Sequence, residues 1–144
     1  MATLKISDLS VGDWMEIDHE DYGWHPAQIN VCGALGIGVH FKDIDPEEEY
    51  DCTLNQARPI PITPEILEKN GWRILEKEVL GDEYECNREE RVWYNENCRI
   101  EICEAKQGVF WYSCDHEYYM WRLKYVHQLQ HLIRLAGVEK EINL

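Results

Sequence analysis

The stretch from Pro59 to Trp72 reads Pro-Ile-Pro-Ile-Thr-Pro-Glu-Ile-Leu-Glu-Lys-Asn-Gly-Trp, a full set of helix start and stop signals in one short span. Thr63 is placed to act as N-cap, its hydroxyl accepting from an otherwise orphan backbone N–H. Pro64 follows at the first helical position, where a missing N–H costs nothing. Glu65 lies in the first turn, near the positive end of the helix dipole. Gly71 can adopt the left-handed conformation that ends a helix. Ile66 and Leu67 are expected to face inward, and Trp72 to begin the next element. Pro59 and Pro61 keep the incoming chain extended and out of any central strand. The stretch therefore reads as a short helix joining two halves.

Before it, short apolar alternations recur between Gly-rich or acidic turns. Strands are expected at Trp14 to Ile17, Trp24 to Val31 (Ala27, Ile29 and Val31 inward), Ile37 to Phe41 and Tyr50 to Leu54, with Ala57 to Ile60 at a sheet edge. Asp43 to Glu49 reads as an acidic loop. This rhythm fits a small antiparallel barrel or rolled sheet of SH3-like type. After the helix, strands are expected at Trp72 to Val79, Val92 to Tyr94, Arg99 to Cys103, Val109 to Ser113 and Tyr118 to Leu123, with a hairpin turn at Lys106 to Gly108. The β-prone aromatic load fits a sheet with one covered face. A second helix is expected from about Lys124 to Ala136, where Val126, Leu129, Leu132, Ile133 and Ala136 form one apolar stripe. Gly137 ends it, and Glu139 to Leu144 reads as a short edge strand. The expected class is α+β, mostly antiparallel β. Residues 1–62 are expected as a small barrel-like subdomain, 63–72 as the linking helix, and 73–144 as an antiparallel sheet plus C-terminal helix, with one compact domain as the alternative.

The charge is −14 over 144 residues, with −10 carried by residues 1–72 and −4 by residues 73–144. Such a surface disfavours direct grip on nucleic-acid phosphates, which is driven by cations releasing counterions. A basic protein partner fits better. Six cysteines without a C-x-x-C pair, and a polar N-terminus without an apolar signal core, imply free thiols and a cytoplasmic setting. No run approaches the length of a membrane span.

Two segments carry a family resemblance. Pro59 to Trp72 resembles a Pro-Ile-Pro-Leu-Thr … Leu … Gly-Phe signature, and Tyr-Val-His-Gln-Leu-Gln-His-Leu from Tyr125 to Leu132 resembles Tyr-Val-His-Gln-Leu-Gln-Asn-Leu. The two occur in that order in a family of uncharacterised proteins from gut anaerobic bacteria and their phages or mobile elements. The opening from Ile6 to Trp14 is similar to that family's start, and Leu135 to Glu139 to its Leu-Thr-Gly ending. His131 stands where the family has Asn. The resemblance implies a phage or mobile-element origin and no catalytic residue.

Several residue sets bear on chemistry. His127 and His131 have the i, i+4 spacing of zincin ligands, but Gln128 replaces the Glu of H-E-x-x-H, so no general base is supplied. Cys114, Asp115 or His116 would have to complete a metal site. The alternative is that His127 and Gln130 hydrogen-bond to neighbouring strands at a helix–sheet seam. The acids between Asp43 and Asp51 lack the spacing of an EF-hand. Gly33, Gly36 and Gly38 lack the Lys-Ser/Thr of a phosphate loop. The aromatic residues of the second half exceed what a core of this size needs. Trp93, Trp111, Tyr112, Tyr119 and Trp121 are therefore candidates for an exposed binding surface, against the alternative of a thick core.

These readings lead to a non-enzymatic acidic protein-binding or adaptor protein, with a protein partner or self-association, no cofactor and no contact with nucleic acid or membrane. Two rival readings stay open. One is a metal-dependent hydrolase using His127, His131 and Cys114. The other is a DNA mimic whose carboxylates imitate phosphates.

Overall fold

A computed structural model describes residues 4–74, 91–98, 100–105, 109–114 and 121–144. The chain divides into two compact units, Met1–Ile60 and Pro61–Leu144.

The first unit is a five-stranded antiparallel sheet: β1 (Trp14–His19), β2 (Gly23–Cys32), β3 (Ile37–Phe41), β4 (Asp45–Cys52) and β5 (Ala57–Pro59), in the order β4-β3-β2-β1-β5. Strand β1 pairs with both β2 and β5, so the last strand returns beside the first. A single 3₁₀ turn, Leu54–Gln56, makes that return. The core is the inward alternation of β1 to β3: Met15, Ile17, Ala27, Ile29, Ile37, Val39 and Phe41 are all buried. No pairing joins β4 to β5 among the described residues, so the sheet is not closed there.

Two expectations for this unit are corrected. Val31 was expected inward but is half-exposed, at 48%. The register slips between Ile29↔Val39 and Val31↔Gly38, leaving Asn30 as the extra residue of a β-bulge. Because side chains alternate with period two, one inserted residue turns Val31 outward and brings Cys32 against the core. The acidic run Asp43 to Glu49 was expected as a loop. From Asp45 onward it is strand β4, extended along β3 through His40↔Glu49, Val39↔Tyr50 and Ile37↔Cys52. Its carboxylates stand in solvent on an end strand of the sheet, where charge and Pro46 also discourage edge-to-edge association.

The second unit opens with helix α1 (Pro64–Lys69) and adds a five-stranded antiparallel sheet. Its strands are β6 (Arg73–Ile74), β7 (Arg91–Tyr94), β8 (Ile100–Ala105), β9 (Val109–Cys114) and β10 (Trp121–Leu123), in the order β10-β9-β8-β7-β6, and helix α2 (Val126–Leu135) follows. Helix α1 has the expected termini. Thr63 Oγ1 accepts from the Ile66 N–H at 3.3 Å. Gly71 has φ +89°, and the Trp72 and Gly71 N–H groups donate back to the carbonyls of Leu67 and Glu68. This is a Schellman closure, with buried Leu67 and Trp72 at its hydrophobic positions. Helix α2 ends the same way, with Gly137 at φ +73° and Val138 N–H donating to the Ile133 carbonyl. Its buried positions are Val126, His127, Leu129, Gln130 and Ile133. Ala136, expected on the stripe, is exposed.

Helix α1 was read as standing between two halves. It is instead part of the second unit: Ile62 N–H donates to the Lys124 carbonyl at 2.9 Å, and Pro61 bridges to Tyr125. The C-terminal residues, expected as an edge strand, form no strand. They are held by side-chain bonds to Asn70, and Ile142 is 1% exposed. Trp72 is buried immediately before β6 rather than within it. Of the expected strand from Tyr118 to Leu123 only the end is described, as β10, and the turn at 106–108 and the stretch 75–90 lie outside the described residues.

Candidate acidic–aromatic site

Antiparallel strands in a meander put alternate turns at the same end of the sheet. The β1–β2 turn, carrying Asp21 and Tyr22, therefore lies beside the β3–β4 turn, carrying Ile44 and Asp45. Between them is a cavity of about 250 Å³ lined by His19, Asp21, Tyr22, Phe41, Ile44, Asp45, Glu48 and Tyr50.

Its walls are rings in mutual contact. His19 and Tyr22 stack with centroids 4.6 Å apart and planes 29° apart. Tyr50 lies 4.8 Å from His19, and Phe41 meets His19 edge-on at 5.3 Å and Tyr50 at 5.8 Å. Phe41 is buried and forms the base, whereas Tyr22 is 51% exposed at the rim. The Asp21 backbone N–H donates to His19 Nδ1 at 3.1 Å, which fixes that nitrogen as an acceptor and pins the turn to the ring. Asp43 bonds His25 Nε2 at 2.9 Å beside the same turn. Faces of aromatic rings carry negative electrostatic potential, and Asp21, Asp45 and Glu48 add full negative charges around them.

A second depression of about 590 Å³ lies along Val31, the Gly33 to Gly38 segment and Cys52. It is shallow and apolar, and Leu35 beside it is 93% exposed.

The residues singled out from the sequence are placed differently. Trp93, a candidate for an exposed binding surface, takes the alternative place in the core, at 1% exposure. Strand β7 lies inside the sheet order between β6 and β8, and both Val92 and Trp93 are covered. Trp93 Nε1–H is satisfied by Glu104 Oε2 at 3.0 Å, and Glu104 also pairs with Arg91 at 2.9 Å, so the ring can be buried without an orphaned donor. Trp111 is 37% exposed, with the Arg122 guanidinium 5.7 Å from its ring. Tyr112 is half-buried, cross-strand from Ile102 and Trp121. Tyr119 and the side chain of Trp121 lie outside the described residues.

On α2, His127 is 4% exposed and its ring lies 5.8 Å from that of Tyr125 and 5.9 Å from that of His131. Cys114 is described only by its backbone, and His116 is outside the described residues. Among the described residues no group of three or more His, Cys, Asp and Glu side chains is arranged to hold a metal ion.

Cys32, Cys52, Cys98 and Cys103 are free thiols. Burial, reinforced by Asp51, pushes the Cys52 thiol up to about 11 from an ordinary 9.0. Burial raises Cys32 as well, aided by Asp13, and raises Cys98 against the opposing pull of Lys140. Only the thiolate is a good nucleophile, so burial disfavours reaction of Cys32, Cys52 and Cys98 at neutral pH. The folded state holds the Cys52 proton more tightly than the unfolded chain does. Its contribution to stability is therefore complete below pH 9.0 and is lost as pH rises through about 11. Alkylation of Cys52 in the native protein, followed by mass spectrometry, is expected to keep accelerating beyond pH 9.0. A plateau at that pH would contradict the burial assigned to it.

Among the described residues no helix is long and apolar enough to cross a membrane. The sequence matches no protein-family model and no curated protein, and the fold matches no solved structure.

Proposed function

We propose that this chain is a non-enzymatic, acidic protein-binding or adaptor protein of phage or mobile-element origin, and that its first unit is an SH3-like barrel left open between β4 and β5. The barrel reading is supported by the five-strand order, the pairing of β1 with both β2 and β5, and the 3₁₀ turn before β5. The origin rests on the sequence resemblance alone. One observation carries the binding reading: a ring-lined cavity opens in the unit where residues 1–60 hold 12 acids against three Lys and Arg. A basic protein is the complementary partner.

The test is affinity capture from lysate across a salt series, comparing the wild-type chain with a variant in which Asp45, Glu47, Glu48 and Glu49 are replaced by their amides. A basic protein retained stoichiometrically by the wild type, and reduced by the variant and by salt, is the expected result. Equal retention by both chains sinks the reading. Capture of a DNA-binding protein that duplex DNA displaces would favour phosphate mimicry instead.

A further inference from the structure

We propose that the cavity between the β1–β2 and β3–β4 turns takes the ammonium group of one unmodified lysine presented by a basic peptide segment. The inference rests on the reading of the first unit as a protein-binding module and names what that module grips. The cavity joins three properties: size, ring lining and carboxylates. At about 250 Å³ it is smaller than the roughly 300–1,000 Å³ of small-molecule pockets, and suits an alkylammonium end rather than a nucleotide or cofactor. Tyr22, Phe41 and Tyr50 line that space with phenyl and phenol rings, a type of ring that attracts a cation through its quadrupole, and His19 packs against all three. Asp21, Asp45 and Glu48 line it too, and carboxylates accept the N–H bonds of an ammonium. A quaternary ammonium has no N–H to offer them, which makes the unmodified lysine the better complement.

A peptide is favoured over a free amine because the negative charge does not stop at the cavity. Strand β4 carries it onward through exposed Glu47, Glu49 and Asp51, which alternate with Glu48 and Tyr50 onto the other face, and because β4 is an end strand a chain can pass round its edge to reach them. A lone ion would use the cavity only, whereas a chain with further cations reaches the rest of the strand.

The experiment is calorimetric titration of the full chain with a nine-residue peptide bearing three lysines. The central lysine is left free, acetylated, trimethylated or replaced by arginine, and n-butylammonium is titrated separately. The free-lysine peptide is expected to bind at least about tenfold more tightly than the acetylated one, and n-butylammonium much more weakly than the peptide. Tyr22→Leu, at a half-exposed turn residue, is expected to reduce the lysine-over-acetyl-lysine preference by about threefold or more without changing the circular dichroism spectrum or melting temperature. Equal binding of the free and acetylated peptides, or a preference that Tyr22→Leu leaves unchanged, overturns the assignment. Tighter binding of the trimethylated or arginine peptide overturns the choice of unmodified lysine, and n-butylammonium binding as tightly as the peptide overturns the peptide source. Loss of the peptide preference while lysate capture persists would remove this inference and leave the binding reading standing. Failure of lysate capture alone would remove that broader reading.

Discussion

Asn70→Ala is expected to destabilise the second unit by about 3 kcal/mol, because it takes the partner from both the N–H and the carbonyl of Asn143, while the Ile66 carbonyl keeps the Asn70 backbone N–H. Asn70 is 3% exposed at the end of α1. Its side-chain amide donates to the carbonyls of Ile66 and Asn143, both at 2.7 Å, and its Oδ1 accepts from the Asn143 N–H at 2.7 Å. The two bonds to Asn143 span 73 residues and hold the C-terminal segment whose Ile142 is fully buried. Asn95 and Lys140 donate to the Asn70 main-chain carbonyl, so alanine leaves those bonds in place. The loss is therefore confined to the side chain. It should appear as a lower denaturant midpoint with an unchanged slope, together with faster hydrogen exchange at Asn143. A shift below about 1 kcal/mol would mean that water replaces the tether at little cost.

Gly36→Ala is expected to cost the first unit about 2–3 kcal/mol, the upper part of the range of about 1–3 kcal/mol for forcing extra carbon into a packed site. A Cβ at residue 36 would lie 2.5 Å from the Cys52 carbonyl oxygen, and that oxygen belongs to backbone that cannot swing aside. Ile37 pairs with Cys52 at the next position, so relieving the clash means parting β3 from β4. Gly33→Ala is the control. Its Cβ would meet only the Gly36 carbonyl oxygen at 3.4 Å, an ordinary contact, and the change should stay within about 0.5 kcal/mol of wild type. Thermal melts of the two variants make the comparison. Equal melting temperatures would show that the β3–β4 end can open without loss.

The glycine pair shows how far sequence reasoning reaches. Gly33, Gly36 and Gly38 look alike in the sequence, as residues that loosen a turn. In the structure Gly36 passes over the carbonyl of Cys52, while a Cβ at Gly38 would run into the carboxylate of Glu49. Which glycine is indispensable depends on what crosses it, and the crossing residues are 16 positions away for Gly36 and 11 for Gly38. Trp93 makes the same point. Its position in a strand was legible, but its burial was decided by Glu104, 11 residues on, which satisfies the indole N–H. The acidic run before Tyr50 reads as a loop by composition. Pairing with β3 makes it a strand, because an end strand exposes its side chains and tolerates charges there.

The acidic–aromatic site was not singled out from the sequence. Its signal is two turns of similar make-up, His19-x-Asp21-Tyr22 and Phe41-x-Asp43-x-Asp45, with Tyr50 returning along the next strand. Each looks ordinary alone. Only the meander register sets them side by side.

The sequence by itself determined the parts that act within a few residues: both Schellman closures, the Thr63 cap, the alternation of β1, and the concentration of negative charge in the first half. These depend on contacts between residues i and i+6 or nearer, and local chemistry suffices for them. Tertiary structure decided the bulge at Asn30, the interior place of Trp93, the membership of α1 in the second unit, and the meeting of four rings around one cavity. Each of those depends on strand register and long-range pairing, which are set only when the whole sheet forms.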